Sequence, residues 1–313
     1  MFFLLLDYFF TVSEQVIILF ILIGIGYLCG KFGFIDDISS KRMTDIVLYI
    51  VTPCVMINAY QIDFNPGILA NLGITALCAI SVHVISIIIS GIVFRKGDES
   101  KNAVLKFGAI FSNCGFMSLP LQQAIIGQEG VLYGAAFIGI FNIAVWSYGV
   151  VCMSGDIKNL SIKSLIFNPG IIGVTVSLII FLFSIKLPVV VREPVKYLAS
   201  LNTPIPMLII GYYLSKTQIT KGIKDGKAWL ASGLRLVVIP VICITAMLLI
   251  GIRGNILISI AIAASAPTAA TTTMFATKFE KDTELSVNLV SLSTILSIVT
   301  MSCIVAVSQM LAH

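Results

Sequence analysis

Charge is the scarcest property of this sequence. Only 11% of its 313 residues are Asp, Glu, Lys or Arg, against roughly 25% in a soluble domain whose whole surface meets water. That shortfall argues against a soluble enzyme, a disordered regulator and a fibrous protein. Histidine occurs only as His83 and His313. Neither stands in an HExxH or Ser–His setting and no Asp pair lies at membrane depth, which speaks against an intramembrane protease. The seven cysteines fall singly in or beside apolar runs. With no CxxC pair and no neighbouring His, they read as small packing residues rather than metal ligands. No connection is long enough for a soluble domain, so a nucleotide-driven engine has no room. The net charge of +5 is small; basic residues at membrane edges account for it, and no nucleic-acid partner is needed.

What is present is apolar length. Hydrophobic residues make up 58% of the chain and the mean hydropathy is +1.04. Uncharged stretches run over 15–30, 46–62, 64–94, 107–128, 130–155, 164–185, 197–215, 236–252, 254–277 and 285–312. Most reach the ~17–25 residues that cross a bilayer as helix. Strands would be far shorter and would alternate in polarity. The expected fold is an all-α polytopic membrane protein with ten transmembrane helices, its partner the lipid bilayer. The opening Met1 to Phe10 is apolar and carries Asp7 but no early Lys or Arg. It reads as a lead-in to the first span, not as a signal peptide. With the N-terminus outside, 16 of the 20 Lys and Arg residues fall on the inner side. That bias predicts a cell-membrane protein with both termini outside.

Five spans per half would set two similar halves, 1–155 and 156–313, inverted in the bilayer. Thr52-Pro53 in span two is echoed by Thr203-Pro204 in span seven, 151 positions on, and Pro120 in span four by Pro267 in span nine, 147 positions on. Inverted repeats are a common build for secondary transporters, with the substrate site at the repeat interface.

Spans four and nine carry the chemistry. Span four reads Phe111-Ser112-Asn113-Cys114-Gly115-Phe116-Met117-Ser118-Leu119-Pro120, and span nine Ala263-Ala264-Ser265-Ala266-Pro267-Thr268 followed by three threonines at 271–273. Proline removes a backbone donor, clashes with the preceding turn and pushes the residue before it, here Leu119, out of helical geometry. Two such prolines in matching spans, each in a small, polar run, predict true helix breaks. Unwound backbone at this depth marks a cavity. Pro120 and Pro267 would then sit near the starts of second half-helices, whose free N–H groups and partial positive charge suit an anion. Carbonyls at the ends of the first half-helices could hold a cation.

The run Asn113-Cys114-Gly115-Phe116-Met117-Ser118-Leu119-Pro120 resembles the N-x-G-F-x-x-x-P signature of the auxin efflux carrier family, which includes bacterial malate and malonate permeases. Asn168-Pro169-Gly170-Ile171-Ile172 resembles the opening of that family's span six, Thr203-Pro204 to Gly211 its span seven, and Arg235-Leu236 with Pro240 its R-L-x-x-x-P of span eight. The resemblance covers nearly the whole chain. It implies two inverted five-helix repeats, a scaffold part and a transport part, and crossed, broken fourth and ninth helices at the substrate site. The threonine-rich span nine departs from the fuller family pattern. The long hydrophilic loop of the plant members is missing, which points to a bacterial member.

The resulting expectation is a secondary-active carrier of a small organic anion, such as malate, malonate or an auxin-like acid, and not an enzyme. Its substrate-binding residues would be Asn113, Gly115, Ser118, Pro120, Ser265, Pro267 and Thr268, with Asn142 of span five as a further candidate. Asn142 could equally make a helix–helix hydrogen bond. Asn58 and Asn202 could line the pathway. His83 reads either as a proton relay or as a histidine bonded to nearby backbone, the second being favoured. Lys106 and Arg235 would snorkel to the inner headgroups. Gly26 and Gly30 would serve close helix packing, not a dinucleotide loop. No cofactor is expected. Sodium or proton coupling and a homodimer stay open. A cation-coupled exchanger on the same plan would want a buried carboxylate, and spans four and nine have none.

Overall fold

A computed structural model describes residues 2–161, 163, 167–216 and 225–312. The expected start of span six at 164–166, and the inner-side residues Lys221 and Lys224, lie outside the described residues. The chain is all-helical there. Helix α1 spans Phe2–Lys31, α2 Asp37–Ala59, α3 Pro66–Val93, α4 Glu99–Ile110, α5 Leu119–Ile125 and α6 Gln128–Ser154. They are followed by α7 Pro169–Leu182, α8 Val189–Ser200, α9 Pro204–Lys216, α10 Gly226–Leu249, α11 Gly254–Ser265, α12 Thr271–Lys278 and α13 Thr283–Ala312. Six helical stretches among the described residues are long and apolar enough to cross a membrane: Leu6–Lys31 of α1, α2, α3, α6, α10 and α13. The shorter α7 and α11 are apolar too.

Polarity is inverted relative to a water-soluble bundle. On α3 the exposed face carries Leu77, Ile80, Val84, Ile88 and Ile92, while Thr75, His83, Ser86 and Ser90 are buried. On α13 Val299, Val307 and Leu311 face out, and Ser286, Ser293, Thr294, Ser297, Ser302 and Ser308 face in. That sidedness suits lipid outside and hydrogen bonding inside. The buried hydroxyls are satisfied mostly by their own helices, as in Ser86 to the Val82 carbonyl at 2.6 Å and Ser302 to that of Ile298 at 2.7 Å. All seven cysteines are unpaired.

Local sequence chemistry explains the helix starts. Asn65 and Asn168 each accept two backbone N–H bonds from the first turn that follows, with Pro66 and Pro169 at the first helical position. Asp98 and Asp225 also cap α4 and α10, accepting one and two backbone N–H bonds respectively. Three of the prolines within helical stretches are absorbed by local widening. π-Helical turns at Val47–Val51, Cys114–Ser118 and Leu234–Val238 are each followed, two residues on, by Pro53, Pro120 and Pro240. The wider turn makes room for the ring where an α-turn would clash with the carbonyl four residues back.

Helices α7 and α8 lie against α2, and α9 runs along α1. A Cβ on Gly26 would come within 2.3 Å of the Leu208 carbonyl oxygen, and one on Gly211 within 2.0 Å of that of Ile23. This is the close packing expected of Gly26. The remaining helices α3, α6, α10 and α13 surround the short pieces α4, α5, α11 and α12.

Candidate functional site at the crossing of two interrupted helices

Helix α4 stops at Ile110, and Phe111 is extended at φ −98°, ψ 113°. Helix α11 stops at Ser265, and Ala266, ahead of Pro267, is extended at φ −62°, ψ 148°. The two extended segments pair as an antiparallel bridge, Ser112 opposite Thr268. The Asn113 amide donates to the Pro267 carbonyl at 2.7 Å, and the Ala269 amide to that of Phe111 at 2.9 Å. Buried backbone with no helical partner needs a donor or acceptor from elsewhere, and each segment supplies the other's.

The interruption in the first segment does not fall where the proline rule put it. Leu119, directly before Pro120, is helical at φ −59°, ψ −47°, because the preceding π turn has already relieved the clash. The non-helical stretch is Phe111–Asn113, and Pro120 lies within the first turn of α5. Pro267 lies in the extended segment itself, ahead of α12, and offers its carbonyl to the bridge.

Several of the orphan carbonyls at the two helix ends find side-chain partners. The Gly108 carbonyl accepts from the Thr268 hydroxyl at 3.1 Å, and the Thr268 amide donates to Ser293 Oγ at 3.1 Å. The Ile262 carbonyl accepts from Ser118 Oγ at 3.5 Å. Ser265 Oγ turns back to the Ala261 carbonyl at 2.7 Å. Gln122 Nε2 bridges from α5 to α11, at 2.9 Å from the Ser259 carbonyl and 3.0 Å from its hydroxyl.

Three further carbonyls are taken by Arg235, a residue expected at the inner headgroups. Arg235 does not snorkel: it is fully buried. Its Nη1 donates to the carbonyls of Ile110 at 2.8 Å and Ala109 at 3.3 Å, and its Nη2 to that of Ala264. One guanidinium from α10 thus ties the ends of α4 and α11 together. Among the described residues it is the only buried Lys or Arg, and no Asp or Glu is buried. The family motif around Arg235 was a visible signal, but nothing local to α10 says that two other helices would supply acceptors.

The crossing brings together Asn113, Ser118, Ser265, Pro267 and Thr268, all buried, with Gly115 and Pro120 half-buried on its open side. The Asn113 side-chain amide makes no hydrogen bond to the described residues, and a Cβ on Gly115 would meet nothing within 4 Å. Thr271 and Thr272, at the start of α12, have buried hydroxyl oxygens without partners; sequence reasoning saw this threonine run but could not single them out. Asn142 is placed elsewhere. It bonds back to the Ile138 carbonyl at 2.9 Å and lies against Gly170 of α7. His83 bonds to the Ala79 carbonyl at 2.7 Å and is ringed by Phe111, Phe137 and Phe141.

Two cavities flank this core. One, of about 320 Å³, is lined by Pro120 and Gln123 of α5 together with Asn58, Gln128, Lys196 and Asn202. Asn202 is buried there with its side-chain oxygen unpartnered. The other, of about 260 Å³, lies by the start of α4 and is lined by Arg95, Glu99, Asn102, Lys106, Tyr148 and Cys152. Each carries at least one basic side chain.

The chain is similar to known membrane transport proteins. The membrane transport protein family matches residues 11–305. An uncharacterized transporter of Methanocaldococcus jannaschii is similar at 27% identity over 301 residues, covering 91% of this chain and 95% of the relative. An uncharacterized transporter of Methanothermobacter thermautotrophicus is similar at 24% over 294 residues, covering 92% and 96%.

Proposed function

The chain belongs to this membrane transport protein family, the auxin efflux carrier family of its motifs, and on that premise we propose that it is a secondary-active carrier of a small organic anion. The anion, a mono- or dicarboxylate such as malate or malonate or an auxin-like acid, binds where the two interrupted helices cross. Asn113 and the helical starts at Cys114 and Thr271 receive it, with the Thr271 and Thr272 hydroxyls beside them. The transport part then moves against the scaffold and exposes the site to either side in turn.

The observation that carries this reading is the backbone pairing of segments 111–113 and 267–269, each followed by a helical start, at Cys114 and at Thr271. Each start offers free N–H groups and a partial positive charge. The magnitudes matter here. Removing a carboxylate from water costs several kcal/mol, and a helix start returns at most about 2 kcal/mol in a partly buried setting. Two starts alone fall short or barely match, so the fixed charge of Arg235 and the free Asn113 amide are needed to hold the anion. The basic residues lining both cavities favour the approach of anions over cations.

In the same reading the helices form ten spans in two inverted repeats: α1 answers α7, α2 answers α8 with α9, α3 answers α10, α4 and α5 answer α11 and α12, and α6 answers α13. The π turn of α2 at Val47–Val51 falls where the junction between α8 and α9 lies. Both termini face outward from the cell membrane, the larger cavity opens outward and the smaller one inward.

The test is uptake of labelled malate, malonate and indole-3-acetate into vesicles holding the purified protein. Saturable uptake of at least one, abolished by Asn113→Ala, is expected. Saturable uptake that survives Asn113→Ala places the site elsewhere, and no uptake of any organic acid sinks the anion reading.

A further inference from the structure

Where two helices end against each other, their last carbonyls gather and the negative ends of two dipoles meet. In transporters with unwound helices such carbonyl clusters hold coupling sodium ions. In this chain the cluster already has an occupant. The Arg235 guanidinium takes the carbonyls of Ala109 and Ile110 from one interrupted helix and of Ala264 from the other.

We propose that Arg235 is the resident cation of the crossing: it stands where a coupling cation would have to bind, holds the two interrupted segments in register, and leaves no sodium site between them. The chemistry of the side chain suits that role. A guanidinium presents a rigid fork of donors that reaches acceptors on two helices at once, whereas an ammonium is a compact point charge. It does not lose its proton at any working pH, so the counter-charge is permanent. Among the described residues no Asp or Glu is buried to pair with it. Carbonyl dipoles alone balance the charge, and its Nε has no partner. The positive charge at the crossing therefore belongs to the chain itself and not to an ion that must enter and leave with each turnover.

The inference stands apart from the identity of the substrate, and its test needs none. The purified full-length protein is unfolded by heat in sodium chloride and in choline chloride at equal ionic strength. The wild type is expected to unfold at the same temperature in both. Arg235→Ala empties the cluster; it should unfold earlier, by about 5–10 °C for the loss of several buried hydrogen bonds. Methylguanidinium should restore much of that loss in Arg235→Ala and leave the wild type unchanged, and sodium should raise the variant's unfolding temperature in a saturable way. Arg235→Lys, which keeps the charge but not the fork, should lie between the two and serves if Arg235→Ala does not fold. A saturable, sodium-specific rise in the wild type overturns the proposal. So does an Arg235→Ala protein that folds and responds to neither cation.

Discussion

The backbone amide of Asn113 donates to the carbonyl of Pro267 across 2.7 Å, joining two segments 154 positions apart in sequence. The bond uses the main chain of both residues. The Asn113 side chain takes no part in it, while its backbone fixes the pairing of the two segments.

That separation of roles makes Asn113→Ala a clean probe. The backbone bond survives the substitution, so the unfolding temperature should move by no more than about 2 °C, the scale of a substitution that breaks no buried contact. Carboxylate uptake should fall at least tenfold, which corresponds to about 1.4 kcal/mol. Paired thermal melts and uptake assays check both halves of the statement.

Thr268 is tied twice, through its hydroxyl to the Gly108 carbonyl and through its amide to Ser293. Thr268→Val keeps the shape and loses only the hydroxyl, leaving a buried carbonyl unpaired at a cost of about 1–3 kcal/mol. Thr268→Ser should recover most of that stability. Denaturation of the two variants under identical conditions separates the hydroxyl from the methyl group.

The contact of α1 with α9 has no space for a methyl group. Gly211→Ala and Gly26→Ala would drive a Cβ against backbone, with an expected loss of about 1–3 kcal/mol. Gly24, two residues earlier on the opposite face of α1, meets nothing within 4 Å, and Gly24→Ala should be neutral to within about 0.5 kcal/mol. Equal effects at Gly24 and Gly26 would contradict the packing described for this pair of helices.

His83 is bonded to backbone and enclosed by aromatic rings, with no buried carboxylate near it to pass a proton. His83→Phe should leave the pH profile of uptake unchanged, whatever it does to expression. A profile whose mid-point vanishes in the variant would restore the proton-relay reading.

Lys196 is the charged side chain in the larger cavity and lies exposed there. Lys196→Ala should raise KM for a carboxylate several-fold with kcat nearly unchanged. The difference between variant and wild type should shrink as salt rises from 0.01 to about 0.15 M, where the screening length falls to ~8 Å. An effect on kcat alone would rule out a role in drawing the substrate in.

Neighbouring residues wrote much of this molecule. Scarcity of charge set the membrane class, because a chain without enough polar surface cannot coat itself against water. Asn65-Pro66 and Asn168-Pro169 start helices by themselves, since cap and first turn are adjacent in sequence. The polar, proline-bearing runs 111–120 and 263–273 were local signals too, and each contains a non-helical stretch. Tertiary structure decided what depends on groups remote in the chain. The first interruption falls at Phe111–Asn113 and not at Pro120, because a π turn absorbs the ring and the unwound backbone lies where residues 267–269 can pair with it. Arg235 is buried because carbonyls 125 and 29 positions away converge on it. A charge enters lipid-depth core only when acceptors arrive from several helices at once, and no single stretch of sequence contains that meeting.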